Sequence, residues 1–196
     1  MDWGIPWREG VTPWDLGTSH PGLERVLEKI SDEEWLASGS RFYVPGCGRA
    51  HDAALLCEFG YSVYGEDIVP EAITQAKKEY GEVEHLDLKV ADVFHPSKEG
   101  GFDAIYDRAM LCALSPKLWK PYIEAILKRL DSRGLLISIP FTKVRKGTEG
   151  PPFAISQGEF KSLLGKDWET LYECVVPNHR VNSSIEEEYV YVGVRR

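Results

Sequence analysis

Apolar positions along this chain recur with two different periods, and the points where one gives way to the other predict most of its elements. Leu23, Val26, Leu27 and Ile30 fall at i, i+3, i+4 and i+7, which predicts an amphipathic helix opening near Pro21. Residues 41–44 form a short apolar run halted by Pro45-Gly46-Cys47-Gly48, and residues 50–59 then predict a helix closed by Gly60. The next strand is expected over 61–65. Pro70-Glu71-Ala72 starts a further helix with proline in its first turn, ending near Gly81. Strands follow over 86–91, 102–106 and 135–139, the last stopped by Pro140. Between the fourth and fifth strands lie a short helical stretch and a longer helix over 117–130 that ends at Gly134. Ahead of all this sits an irregular head containing Trp3, Pro6, Trp7, Pro13 and Trp14.

Strands separated by helices at this rhythm predict an α/β fold, a mostly parallel sheet with helices on both faces. The last quarter changes character. Residues 168–176 and 188–194 are strand-like runs joined only by the polar stretch 177–187, too short for a helical crossover, so this pair is expected to be an antiparallel hairpin. The expected total is seven strands.

With 196 residues, 43% of them hydrophobic, the chain suits a single domain, 1–196, whose core needs no covalent staples. A net charge of -8 without any run of Lys or Arg disfavours nucleic acid and anionic membrane as partners. Cys47, Cys57, Cys112 and Cys174 are scattered among apolar neighbours with no C-x-x-C pair, the pattern of reduced thiols. No basic-then-apolar leader opens the chain, and no apolar run approaches the roughly 18 residues that span a bilayer. A cytoplasmic, unanchored monomer is the expectation. His20, His51, His85, His95 and His179 never fall at paired metal-ligand spacing, so no metal site is expected.

The candidate chemistry gathers where the first four strands end. Gly46 and Gly48 let the backbone bend from strand to helix and approach a ligand closely with exposed N–H groups. About twenty residues on, Glu66-Asp67 closes the second strand, where an acid accepts both ribose hydroxyls of a nucleoside. Ala91-Asp92-Val93 follows the third strand, where an acid or its backbone neighbour meets an adenine; a turn aspartate is the plainer alternative. Tyr106-Asp107-Arg108-Ala109-Met110 closes the fourth strand and places a charged pair at the crevice. A nicotinamide-dependent oxidoreductase shares the strand, the turn and the acid, although His51-Asp52 stands where its third glycine belongs.

The ordered set Trp3-x-x-x-Trp7-x-x-Gly10-x-Thr12, Val44-Pro45-Gly46-Cys47-Gly48, Asp67, Asp107-Arg108-Ala109-Met110 and Gly150-Pro151-Pro152-Phe153 resembles the thiopurine S-methyltransferase family, which includes the halide/thiol methyltransferases. The resemblance implies a Rossmann-like class I fold and the cofactor S-adenosyl-L-methionine (SAM), released as S-adenosylhomocysteine. It implies that Trp7 borders the cofactor, Gly46 lies under its methionine part, Asp67 takes the ribose, and Asp92 with Val93 flanks the adenine. Trp3, Thr12, Trp14, Cys47, Gly48, Ile68 and Asp107 complete that implied cofactor set, while Trp14, Arg108 and Phe153 are implied to face a small-molecule substrate. Residues 1–20 become a head that covers the cofactor and 141–156 a substrate lid. Gly10-Val11-Thr12-Pro13-Trp14-Asp15 resembles the halide/thiol branch and Asp107-Arg108 the thiopurine branch, so the acceptor stays open between them.

Methyl transfer from a sulfonium to a thiol, heteroaromatic thiol, halide or chalcogen species needs positioning and water exclusion more than a dedicated base. Arg108 is the candidate catalytic group, since a guanidinium favours the thiolate of a thiol whose ordinary pKa is near 8.5. An oxygen or nitrogen acceptor needs a base, for which Asp15 and Asp107 are the first candidates.

Overall fold

The computed structural model describes residues 2–95, 100–177 and 183–196. Residues 178–182 of the polar stretch expected between the last two strands, His179 among them, lie outside the described residues. The chain divides into two compact units, Met1–Asp103 and Ala104–Arg196.

In the first unit the head is not irregular throughout: Gly4–Glu9 forms α1, whose N-cap Trp3 makes no side-chain bond, while Asp2 accepts the Gly4 N–H at 2.8 Å. Burial of Trp7 and the ion pair of Arg8 with Glu71 at 3.0 Å supply what its six residues lack in propensity. Pro21–Asp32 forms α2 as the periodicity predicts, capped by the His20 ring, which accepts the Gly22 N–H at 3.0 Å. Its four apolar positions, Leu23, Val26, Leu27 and Ile30, are all buried. Strand β1 (Arg41–Pro45), helix α3 (His51–Glu58), strand β2 (Ser62–Asp67), helix α4 (Pro70–Tyr80) and strand β3 (Leu86–Val90) then alternate. The strands are parallel in the order β3-β2-β1, with Phe42 opposite Val63 and Val63 opposite Leu86.

The second unit begins inside β4 (Phe102–Arg108) and continues through α5 (Met110–Ala113), a 3₁₀ turn at Pro116–Leu118, and α6 (Trp119–Leu127). Here β5 (Leu130–Ile139) starts earlier, and the preceding helix stops earlier, than the sequence pattern suggests. Gly134 does not close a helix. It lies under Leu130, whose side chain would stand 2.5 Å from a Cβ placed there, and Arg133 beside it has φ 65°.

The remaining elements are β6 (Phe141–Val144), α7 (Gln157–Leu164), β7 (Trp168–Pro177) and β8 (Ile185–Arg195). Strand β8 runs antiparallel to three others: Tyr191 to Val194 pair with β5, Ile185 to Glu188 with β6, and nearly its whole length with β7. The expected antiparallel finish is therefore present, with eight strands among the described residues where seven were expected. The additional strand, β6, is the start of the segment expected to be a lid, and Lys143 ties it to Glu186 of β8 at 3.0 Å.

Candidate functional site

The turn after β1 is left-handed at Gly46 (φ 60°), Gly48 (φ 56°) and Ala50 (φ 65°), so three backbone units curl before α3 begins. Asp67, at the end of β2, faces that curl. One carboxylate oxygen accepts the Gly48 N–H at 3.0 Å and the other accepts the Val69 N–H at 2.9 Å. A carboxylate offers about four acceptor directions, so about two remain on Asp67 after these bonds. Burial raises its pKa, and the two N–H donors oppose the rise.

Glu66 takes the other course: it is buried, 1% exposed, and accepts the Tyr43 hydroxyl beneath the sheet. Side chains alternate along β2, so with Glu66 buried against Tyr43 it is Asp67 that faces the glycine turn. Gly65 beneath them is held glycine by contact, since a Cβ there would lie 2.9 Å from Leu88 Cδ2 and 3.2 Å from Cys47 Cβ. The Cys47 N–H donates to the Glu66 carbonyl at 3.0 Å, and burial together with Asp67 pushes the Cys47 thiol well above its ordinary pKa. Ile68 is exposed at the rim.

Three tryptophans stand beside this turn. Trp7, 6% exposed, packs on Val69 and Ala72 of the α4 start, and its ring lies 3.8 Å from where a Gly48 Cβ would be. Trp14 meets Trp7 edge-on at 6.4 Å and Trp3 at 5.5 Å. The Thr12 carbonyl accepts the Asp15 N–H at 3.0 Å, forming the turn that presents Trp14. After β3, Asp92 accepts the Phe94 N–H at 3.0 Å and Val93 is buried, so the Asp92 carboxylate serves its own turn.

A cluster the sequence did not announce fastens the head. Asp15 stands 3.0 Å from Arg49 Nε and 3.4 Å from His51 Nε2, and its Oδ1 accepts the Gly17 N–H at 2.8 Å. The other ring nitrogen of His51 lies 2.7 Å from the Tyr80 hydroxyl. Asp15 holds the His51 pKa up, against burial, and burial raises the Asp15 carboxyl while His51, the Gly17 N–H and Arg49 together bring it below its ordinary value. Sequence separation hides this group, because Asp15, His51 and Tyr80 come from three elements.

In the second unit, Asp107 is fully enclosed and accepts the Tyr122 hydroxyl at 3.0 Å and the Ser138 hydroxyl at 3.1 Å. Burial raises its pKa to about 6 in spite of both bonds. Arg108 lies 3.6 Å from Glu188 of β8, with the two side chains 10% and 6% exposed. Its Nε finds no hydrogen-bond partner among the described residues. Phe153 is tied down by its N–H, which donates to the Cys112 carbonyl at 2.8 Å. Glu188 went unremarked in the sequence, where its only signal is a charge opening the apolar run 189–192. Among the described residues no cluster of His, Cys, Asp or Glu is placed to hold a metal, and no helix is long and apolar enough to cross a membrane.

The fold has solved counterparts. The N-methyltransferase NodS from Bradyrhizobium japonicum WM9, in complex with S-adenosylhomocysteine, superposes with a TM-score of 0.73 over 97% of this chain and 91% of that one, at 17% identity. The architecture is thus the Rossmann-like one of SAM-dependent methyltransferases. Residues 1–188 match the thiopurine S-methyltransferase family, and the chain belongs to it, a SAM-dependent enzyme. Thiopurine S-methyltransferase of Azotobacter vinelandii is 33% identical over 185 residues, covering 85% of this chain and 82% of its own length. Thiocyanate methyltransferase 1 of Arabidopsis thaliana is 29% identical over 165 residues, covering 83% and 70%.

Proposed function

We propose that this enzyme methylates a small soft nucleophile, in the first place the sulfur of a thiol or a thiopurine-like heteroaromatic thiol, with halide and chalcogen species as related acceptors. The observation that carries the reading is Asp67: a largely desolvated carboxylate beside two left-handed glycines, with acceptor capacity left over and a tryptophan over the turn. Those residues fit the cofactor. Asp67 would hold the ribose hydroxyls, Gly46, Cys47 and Gly48 would lie against the aminoacyl part, and Ile68, Asp92 and Val93 would border the adenine. Trp3, Trp7, Thr12 and Trp14 would cover the sulfonium, whose positive charge gains about 0.5–2 kcal/mol over an aromatic face. Bound there, SAM supplies an activated methyl group.

The protein's own work is to exclude water, keep the acceptor in line, and favour the nucleophilic form of its sulfur. Arg108 would perform the last task, because an adjacent guanidinium stabilises a thiolate over a thiol. Asp107, anchored by Tyr122 and Ser138, would fix the end of β4 from which Arg108 projects. Trp14, in the first unit, and Phe153, in the segment 141–156 of the second that we take as the lid and that opens with β6, are the proposed acceptor contacts. Relatives named for thiopurine, thiol and thiocyanate methylation support this choice of acceptor. We place the protein in the cytoplasm as a monomer without nucleic-acid partners, in keeping with its four free cysteines and its net charge of -8.

The test is a product assay with SAM over a panel of alkyl and aryl thiols, a thiopurine, iodide, thiocyanate and chalcogen oxyanions. Methylated thiol or thiopurine is the expected product. Tight binding of S-adenosylhomocysteine with no product across the panel would overturn the reading and leave a cofactor sensor.

A further inference from the structure

Arg108 does not face its surroundings as a bare cation. Glu188 stands 3.6 Å from its Nη2, outside direct hydrogen-bond length, and both side chains are at least nine-tenths buried. Arg108 Nε meanwhile finds no acceptor among the described residues. A buried guanidinium with an open donor calls for a further acceptor, since an unmet donor of this kind is costly. What can supply it is limited by the local charge. Burial, then Asp107 and Glu188, push the nearby Cys112 thiol up to about 12. Arg108 and Glu188 offset one another, so the buried pair is neutral as a unit. An anion brought there would leave a buried net negative charge, whereas a neutral S–H group would not.

We propose that the Arg108–Glu188 pair selects protonated, electrically neutral thiols over acceptors that arrive as anions, with Glu188 receiving the thiol proton as Arg108 holds the sulfur. The proposal rests on the reading of Arg108 as the group that meets the acceptor. In the step, the acceptor S–H bond breaks and its proton passes to the Glu188 carboxylate. The sulfur pair forms a bond to the methyl carbon, and the donor's sulfonium–methyl bond breaks with its electrons staying on S-adenosylhomocysteine. The proton then leaves Glu188 for water.

Two comparisons on the full chain test it. With a neutral alkyl thiol of pKa near 8.5, kcat/KM of the native enzyme stays nearly flat between pH 6.5 and 8, because the thiol itself is the substrate form; in Glu188→Gln it climbs about tenfold per pH unit with the thiolate. Glu188→Gln also shifts the kcat/KM ratio of thiocyanate to that thiol upward by about tenfold or more, what one pKa unit of charge interaction is worth. Independently of turnover, thiocyanate binds the S-adenosylhomocysteine complex of Glu188→Gln more tightly than the native complex by calorimetry. A native profile already rising tenfold per unit, or ratios and thiocyanate affinities unchanged by the substitution, overturns the proposal. Should Glu188→Gln not fold, the native profile decides alone, with Glu188→Asp expected to keep it flat. A native enzyme that methylates nothing in the panel defeats the proposed function instead, while the thiocyanate titration still reads the pair.

Discussion

Asp15 and His51 meet at 3.4 Å and join the aromatic head to the first turn of α3. Their neighbours set the balance: Arg49 reinforces Asp15, while Tyr80, Glu79 and Asp52 surround the ring of His51. The His51 pKa is raised above its ordinary value near 6.5, so the stability it adds is complete below that value and is lost as pH rises through the raised one. The Asp15 pKa is lowered, so its share is complete above the ordinary carboxylate value and is lost only as pH falls through the depressed one. Head docking should be strongest above the ordinary carboxylate range and below about pH 6.5, and loosen as pH rises past the raised His51 value. Thermal melts and tryptophan emission across that rise in pH should show the loss in the native protein and a flat response in His51→Gln. An identical pH response in both proteins would sever the head from this contact.

Asp67 supplies a second prediction. Asp67→Asn removes the charge and, with a donor NH2 in place of one acceptor oxygen, one of the two bonds to Gly48 and Val69, and Asp67→Ala removes both. Affinity for S-adenosylhomocysteine should fall in each, by about 1.5–3 kcal/mol for the alanine variant, the usual worth of hydrogen bonds to a charged group. Calorimetric titration reads it. Unchanged affinity would shift the ribose contact to another residue.

A cycle at Arg108 and Glu188 separates architecture from chemistry. Arg108→Met strands a buried carboxylate and should cost about 3–5 kcal/mol of stability, whereas Arg108→Met with Glu188→Leu should recover most of it. Turnover should stay low in both. Recovery of methyl transfer along with the melting temperature would reduce Arg108 to a structural role.

Gly65 gives a prediction about the floor of the site. A methyl there meets the tip of Leu88 and the base of Cys47, and Leu88 yields more easily than Cys47, whose N–H is bonded to the Glu66 carbonyl. Gly65→Ala should cost about 1–3 kcal/mol of stability, the usual range for overpacking, and weaken S-adenosylhomocysteine binding through the displaced turn. Denaturant melts and the same titration check both. Native values in each would show that the floor yields without cost.

Much of this was legible along the chain because it is local. The period of Leu23, Val26, Leu27 and Ile30, the glycines that end β1, and the proline that opens α4 act within a few residues of themselves. What escaped depends on distance. Nothing in Gly4–Glu9 advertises a helix, since its stability comes from Trp7 burial and from Glu71 more than sixty residues on. Strand β6 exists because β8 offers it partners, and Gly134 passes for a helix end until Leu130 is seen folded over it. The same holds for Glu188, whose partner Arg108 lies eighty positions earlier.

The most direct measurement is a crystal structure of the protein with S-adenosylhomocysteine. The account places the ribose hydroxyls within hydrogen-bond reach of the Asp67 carboxylate, the amino-acid end along Gly46 to Gly48, and Trp7 against the ligand. Ligand bound away from that turn, or a turn still closed by its own side chains at saturating ligand, would contradict it.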